Sequence, residues 1–205
     1  MFTGLIREIA VVKSFQNNTL SIKSNHKAKL GDSIAINGAC LSVTKLTNDG
    51  FEVQLSPESQ KVLAIQNYKN KVHIEPAMMM GDRFEGHIVQ GHIDCIGEII
   101  DIKNNGNSYD FFIKIPKKQI IYMVPKGSVT IDGVSLTLNE VFDESFRLTI
   151  IPITMRETLF GTYKKGSKVN IESDMFARYT AHIINHQNKS NSIGWGEIDA
   201  IQSLF

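Results

Sequence analysis

Ile36-Asn37-Gly38-Ala39-Cys40-Leu41-Ser42-Val43-Thr44 is answered later in the chain by Ile131-Asp132-Gly133-Val134-Ser135-Leu136-Thr137-Leu138. Gly38 and Gly133 are 95 residues apart, and the same offset pairs Ser42 with Thr137, Phe51 with Phe146, Pro57 with Pro152 and Ser59 with Thr154. Lys71-Val72-His73-Ile74-Glu75 then reappears as Lys168-Val169-Asn170-Ile171-Glu172, at offset 97. A match this long describes two copies of one small domain. Asn-Gly and Asp-Gly supply the positive φ angles of a tight reversal, so each copy has strand, turn, strand here. Just past the turn, one copy carries a thiol (Cys40) and the other a hydroxyl (Ser135). A constant scaffold with a changed reactive atom is how two sites for one ligand acquire different tasks.

Around this repeat run short segments rich in Val, Ile, Phe and Thr: Met1–Val12, Leu20–Lys23, Ser33–Ile36, Leu41–Leu46, Phe51–Leu55 and Val72–Glu75. Gly, Asn, Asp or Pro punctuates them. Only Glu58–Ile65 has helical spacing in the first copy, matched by Thr154–Phe160 in the second. Frequent short strands predict an all-β chain of two tandem antiparallel barrels, closed or nearly so. The expected division is residues 1–86, 87–184 and a tail at 185–205, with the junction at Met78–Gly86. The second copy's opening strand is expected at His92–Ile102, aligned on the first through Gly4 and Gly91, and Asn104–Asn107 is a hairpin turn. From Asp174 the pattern turns helical, with Phe176, Tyr179, Ile183 and Ile184 on one face. A polar break at Gln187–Ser192 and a second amphipathic piece at Ile198–Phe205 follow. The appended helix either joins copies of the chain or packs back on its own barrels.

The chain has 205 residues, 42% of them hydrophobic, which suits two domains of roughly a hundred residues each. With 22 basic against 21 acidic residues, no long-range field recruits nucleic acid or an anionic membrane. No apolar run approaches the ~18 residues of a membrane span, and no secretion signal opens the sequence. Cys40 and Cys95, one per copy, are read as reduced thiols of a cytoplasmic protein.

Laying the copies over each other isolates the chemistry. Cys40 becomes Ser135, Leu5 becomes His92, Ala77 becomes Asp174, and Ser42 becomes Thr137. Each also has a plain role available: a buried Cys, a structural His, packing hydroxyls, and for Asp174 the cap of the helix that begins there. The pattern of substitution favours function, since a barrel doubled for stability alone has no need of it. Metal is not expected. His87 and His92 lack zinc-helix spacing, and His182 is followed by Ile183 where a zinc-protease helix has Glu. No Gly-x-Gly-x-x-Gly opens a nucleotide-binding unit.

Phe2-Thr3-Gly4, Asn37–Thr44, Gly86-His87-Ile88-Val89-Gln90-Gly91-His92-Ile93 and Ile131–Thr137 together resemble riboflavin synthase, the α-type lumazine-binding family. The resemblance spans both copies. It implies tandem six-stranded Greek-key barrels and a C-terminal helix that ties three chains into a homotrimer. The reaction it implies needs no cofactor: two molecules of 6,7-dimethyl-8-ribityllumazine exchange a four-carbon unit, giving riboflavin and a ribitylamino-pyrimidinedione. Each site would form between the first barrel of one chain and the second barrel of its neighbour. By resemblance, His92 with Ser135, Thr137 and Asp174 handles protons and orients substrate, while Cys40 and Ser42 stand by the ligand in the first barrel. Phe2 and Gly4 line its wall, with Leu41 and Leu136 beside the reactive residues. Backbone at Gly4-Leu5-Ile6 and Gly91-His92-Ile93 would read the pyrimidinedione edge. Further contacts come from Gln54, Leu55, Ser56, Pro57, Glu58 and Ser59, from Ile150, Ile151, Pro152, Ile153, Thr154 and Met155, and from Lys126. Ala39, Ser42 and Ser56-Pro57 depart from the family pattern. The competing expectation is a non-catalytic, antenna-type lumazine or flavin binder. A flavin reductase would want a nucleotide domain or a basic phosphate cluster, and neither is visible. An association with lumazine synthase, which makes the substrate, is left open.

Overall fold

The computed structural model describes residues 1–190, with side chains through residue 187. The first copy forms β1 (Glu8–Gln16), β2 (Thr19–Lys23), β3 (Ser33–Ile36), β4 (Ala39–Thr47), β5 (Gly50–Gln54), the short helix α1 (Pro57–Val62) and β6 (Lys71–Pro76). The second forms β7 (Cys95–Asn104), β8 (Tyr109–Lys114), β9 (Ser128–Ile131), β10 (Val134–Val141), β11 (Ser145–Ile150), α2 (Pro152–Glu157) and β12 (Lys168–Ser173), and α3 (Met175–Ser190) follows. Each set closes into an antiparallel barrel, ordered β1-β2-β5-β4-β3-β6 and β7-β8-β11-β10-β9-β12. Closure leaves no free sheet edge. Even the irregularities repeat: a bulge follows Val12 and Ile99, and another follows Val43 and Leu138. Among the described residues no helix is long and apolar enough to cross a membrane.

Strand alternation fills each barrel with its own core. Leu20, Ile22, Phe51, Val53, Val72 and Ile74 belong to one, and Phe111, Ile113, Phe146, Leu148, Val169 and Ile171 to the other. Each such side chain contributes ~2 kcal/mol by leaving water.

The barrels meet through their duplicated turns. Asn37-Gly38 and Asp132-Gly133 all have positive φ (45°, 81°, 45° and 84°), as a type I′ reversal demands. The tips stack so tightly that a Cβ on Gly38 would lie 2.7 Å from Gly133 N, and one on Gly133 2.8 Å from Gly38 N. Buried polar side chains cross beside them. His73 Nε2 accepts the Leu159 N–H (2.7 Å), so its Nδ1 donates to Asp132 O (2.8 Å). Its counterpart Asn170 accepts the Ala64 N–H (2.7 Å) and donates to Asn37 O (2.8 Å). Asp132 accepts from Asn170 N (2.8 Å) and Tyr163 OH (2.6 Å).

Two expectations shift. The second copy's strand begins at Cys95, not His92, because the residues just before it belong to the arm that bonds Cys40 N through Gly91 O. The tail expected from residue 185 belongs to a helix that starts at Met175 and runs unbroken through Ser190, over much of the expected polar break. The amphipathic piece at Ile198–Phe205 lies outside the described residues. Among the described residues Phe176, Tyr179, Ile183 and Ile184 of α3 each keep 50–60% of their surface exposed, with Phe176 and Ile184 bordering a groove against the second barrel.

The two buried titratable groups at the junction oppose each other with pH. Burial pushes the Asp132 carboxyl up to about 7 and the His73 imidazole down to about 4. Asp132 therefore stabilises the fold fully below about pH 4, and that contribution is lost as pH rises through 7. His73 contributes above about pH 6.5, and its share is lost as pH falls towards 4. Asp132→Asn, the amide used at Asn37, removes the first effect and unmasks the second. Relative to wild type, its unfolding free energy should rise by about 3 kcal/mol more between pH 5 and pH 8, as read by urea denaturation. An unchanged pH slope contradicts the assignment.

Candidate active site

Two arms cross between the barrels, the N-terminal residues and the segment from Gly86 to Asp94. Each is gripped by a buried glutamate of its own barrel. Glu75 accepts from Thr3 N (2.7 Å), Thr3 Oγ1 (2.8 Å) and Gly4 N (2.9 Å), while Glu172 accepts from Gln90 N (2.8 Å) and Gly91 N (2.9 Å). Burial raises both carboxyls, Glu172 to about 7, against the pull of these donors. Phe2 and Val89 exchange backbone hydrogen bonds where the arms pass (2.8 and 3.0 Å). Each arm then reaches the other barrel's reactive strand. Gly4 O accepts the Ser135 N–H (2.8 Å), and Gly91 O accepts the Cys40 N–H (2.9 Å). A Cβ on Gly4 would sit 2.5 Å from Ser135 Cβ, and one on Gly91 2.6 Å from Cys40 Cβ. Only glycine lets the arms lie this close.

The first cleft, of about 380 Å³, opens over Cys40 at the start of β4. Its walls are Ala39, Leu41, Ser56, Glu58, Ser59, Val62, Leu63 and the arm residues Gly91, His92 and Ile93. Cys40 is half-buried and His92 exposed, so a thiol and an imidazole both border this cleft. Ser42, two residues along β4, points to the same side and is exposed. Ser56 Oγ caps α1 by accepting the Ser59 N–H (3.0 Å), and Gln54 and Pro57 are exposed at the same rim.

At the second site Ser135 Oγ lies 2.7 Å from His87 Nδ1 in a hydrogen bond. Burial lowers the His87 pKa, against the opposing pull of the Asp174 carboxylate, and this favours a neutral ring able to take a proton. Asp174 also caps α3, its Oδ1 accepting the Phe176 N–H (2.8 Å). It borders a groove of about 470 Å³ with Gly127, Ser128, Tyr122, Phe176 and Thr180. Thr137 is exposed two residues beyond Ser135 and pairs with Ser128 across the sheet. Lys126, next to that groove, has φ +66° where the first copy has Gly31 (+84°), and both donate their N–H across to the next strand. A lysine held left-handed costs roughly 1–2 kcal/mol, strain of the kind kept at functional positions. Ile151, Pro152 and Ile153 are exposed beside half-buried Thr154 and Met155.

Some expected groupings come together within one chain and others do not. Phe2 and Gly4 were expected to wall the ligand site of the first barrel, but the arms cross, so within one chain Gly4 meets Ser135 and Gly91 meets Cys40. His92 accordingly lies with Cys40 and not with Ser135 and Asp174. The imidazole on Ser135 is His87, which zinc spacing had led us to set aside. Phe2 is fully buried in a cluster with Ala35 and Val89 that half-buried Cys40 packs against, so it backs the thiol without facing a ligand. Leu55 and Ile150 are core residues, and Leu5, Ile6 and Leu136 are half-buried. Glu75 and Glu172 were visible as a repeated acid on an otherwise apolar strand.

The lumazine binding domain family matches this chain twice, at residues 3–77 and 90–174. The riboflavin synthase of Photobacterium phosphoreum is 40% identical over 197 residues, covering 90% of this chain and 89% of that protein. The riboflavin synthase of Bacillus subtilis is 37% identical, covering 94% of each, and that of Schizosaccharomyces pombe is 35% identical, covering 90% and 94%. Among solved structures, LumP complexed with riboflavin superposes with a TM-score of 0.77 at 22% identity, over 85% of this chain and all of that one. LumP complexed with 6,7-dimethyl-8-(1'-D-ribityl) lumazine gives 0.75 at 23%, over 85% and 99%. At that identity LumP speaks for the fold alone. Two matched domains and relatives aligned over nearly the whole length make this chain a member of the riboflavin synthase family.

Proposed function

We propose that the chain is a transferase that dismutates two molecules of 6,7-dimethyl-8-ribityllumazine into riboflavin and 5-amino-6-ribitylamino-pyrimidinedione, the final step of riboflavin biosynthesis. The observation that carries this reading is one duplicated scaffold fitted with different polar groups, a cleft with Cys40 and His92 on the first copy and Ser135 hydrogen-bonded to His87, under the influence of Asp174, on the second. One heterocycle must lose a proton from its C7 methyl while the other takes a nucleophile at C7, so unlike groups on like scaffolds suit the task. The two products together hold the atoms of two substrates, which supports a reaction without oxidant, reductant or cofactor.

The in-chain separation of His92 from Ser135 supports a site shared between chains. The first cleft of one chain, with Cys40, His92 and Ser42, faces the second cleft of its neighbour, with Ser135, Thr137, Asp174 and Lys126. His92 then joins Ser135 across the boundary, and stacked lumazines are read by arm backbone on both sides. The exposed apolar face of α3 supports association, since four large apolar side chains on one helix face favour a partner over water. The family resemblance gives the number as three, and the reduced thiols suit the cytoplasm. Docking to lumazine synthase would hand the substrate over directly.

A lumazine-binding antenna is the competing reading, and it requires only one occupied pocket. Purified protein incubated with 6,7-dimethyl-8-ribityllumazine alone should accumulate riboflavin, followed by absorbance; tight binding without turnover contradicts the enzyme. Ser135→Ala, His87→Ala and His92→Ala should each slow turnover by about 10²-fold while changing substrate affinity less. Equal losses of both would reassign them to binding. Lys126→Gly should raise unfolding free energy by about 1 kcal/mol and yet weaken substrate binding, a trade visible by pairing thermal denaturation with KM.

A further inference from the structure

The two arms are held differently. At offset 87, Thr3 corresponds to Gln90 and Arg7 to Asp94. In the first copy the Thr3 hydroxyl donates straight to Glu75, and Arg7 supplies a compensating positive charge. In the second copy the hydroxyl is gone and the arginine has become an aspartate, and Arg178, one turn into α3, supplies the positive charge that favours the Glu172 carboxylate. Its Nη1 donates to Asp94 Oδ1 (3.1 Å), Asp94 Oδ2 (2.9 Å) and Ser173 O (3.2 Å). Its Nη2 donates to Gln90 Oε1 (2.6 Å) and lies 4.0 Å from Glu172 Oε1. The Arg178 and Asp94 side chains are only 18% and 16% exposed, so solvent screens the pair little.

The segment thus gripped, Gln90 to Asp94, is one wall of the Cys40 cleft, on the far barrel from α3. We propose that Arg178 is a positioning residue: it fixes that wall, and so links the seating of the C-terminal helix to the shape of the first-barrel cleft in the same chain. A planar guanidinium with several donors satisfies three side chains and a carbonyl at once, which an ammonium does only in part.

The test uses the full chain with Arg178→Gln and Arg178→Lys. Iodoacetamide alkylation of native protein is followed at each thiol by mass spectrometry, with Cys95, 7% exposed in the second barrel's core, as internal reference for loss of fold. Arg178→Gln should speed alkylation of Cys40 by about fivefold and leave Cys95 unchanged, because loosening the wall raises the population of open cleft. Arg178→Lys should return most of the protection. A Cys40 rate equal to wild type, or one that rises only in step with Cys95, overturns the proposal. A second readout rests on the function proposed above: KM for 6,7-dimethyl-8-ribityllumazine should rise about tenfold in Arg178→Gln, with kcat within about twofold. Loss confined to kcat counts against a positioning role. If the wild-type chain forms no riboflavin, that reading fails while the thiol measurement still decides the role of Arg178.

Discussion

A buried glutamate holding two successive backbone N–H groups of a crossing arm is the constraint on which everything else in this molecule rests. Glu75 does this for Thr3-Gly4, and Glu172 for Gln90-Gly91. Buried carboxylates are costly unless several donors meet them, and here the donors come from segments that lie outside the barrel strands and pair with each other at a single bridge, Phe2 with Val89. The grip turns two loose stretches into rigid walls. It also ties each barrel's arm to the other barrel's strand, so the surroundings of both Cys40 and Ser135 draw on both copies of the domain. Separating the copies would strip Ser135 of Gly4 and Cys40 of Gly91.

This dependence explains why the duplicated turns and His73, Asn170 and Asp132 are buried so deeply between the barrels. The arms register correctly only if the two barrels are fixed against each other. Stacked glycines at the turn tips and a fully paired set of polar groups allow one arrangement and penalise others, since any displacement leaves buried donors without acceptors. The symmetry is broken only where chemistry or charge asks for it. Thiol and hydroxyl, Leu5 and His92, Gly31 and Lys126, Thr3 and Gln90, Arg7 and Asp94 all differ between copies, while the barrel topology, the bulge positions and the glycines of the stacked turns are kept.

Much of the fold was legible because the repeat is written in residues whose conformational demands are strict. Asn-Gly and Asp-Gly fix the turns, and alternation with punctuation fixes strands to within a few residues. The reactive positions Cys40 and Ser135 stood out by comparing the copies alone. What that comparison could not reveal was connectivity in space. It placed His92 in the second copy by sequence, whereas the arm that bears it crosses to the first barrel. No local pattern encodes such an exchange, because the hydrogen bonds that enforce it join residues far apart in the chain, Gly91 with Cys40 and Gln90 with Glu172. His87 was passed over for a similar reason: its partner Ser135 is 48 residues away. In the sequence nothing sets Arg178 apart on its helix; only the fold gathers Asp94, Gln90 and Ser173 around it.

The central claim is that one chain carries two unlike halves of a single reaction site, which meet between neighbouring chains. The most direct measurement is to co-fold His92→Ala chains, damaged in the first cleft, with Ser135→Ala chains, damaged in the second, and to assay the mixed oligomers for riboflavin formation. In a ring of such contacts a random equal mixture leaves roughly a quarter of the shared sites with both halves intact, so activity near that fraction of wild type is expected. Mixed oligomers no more active than either variant alone would contradict a site built across the chain boundary.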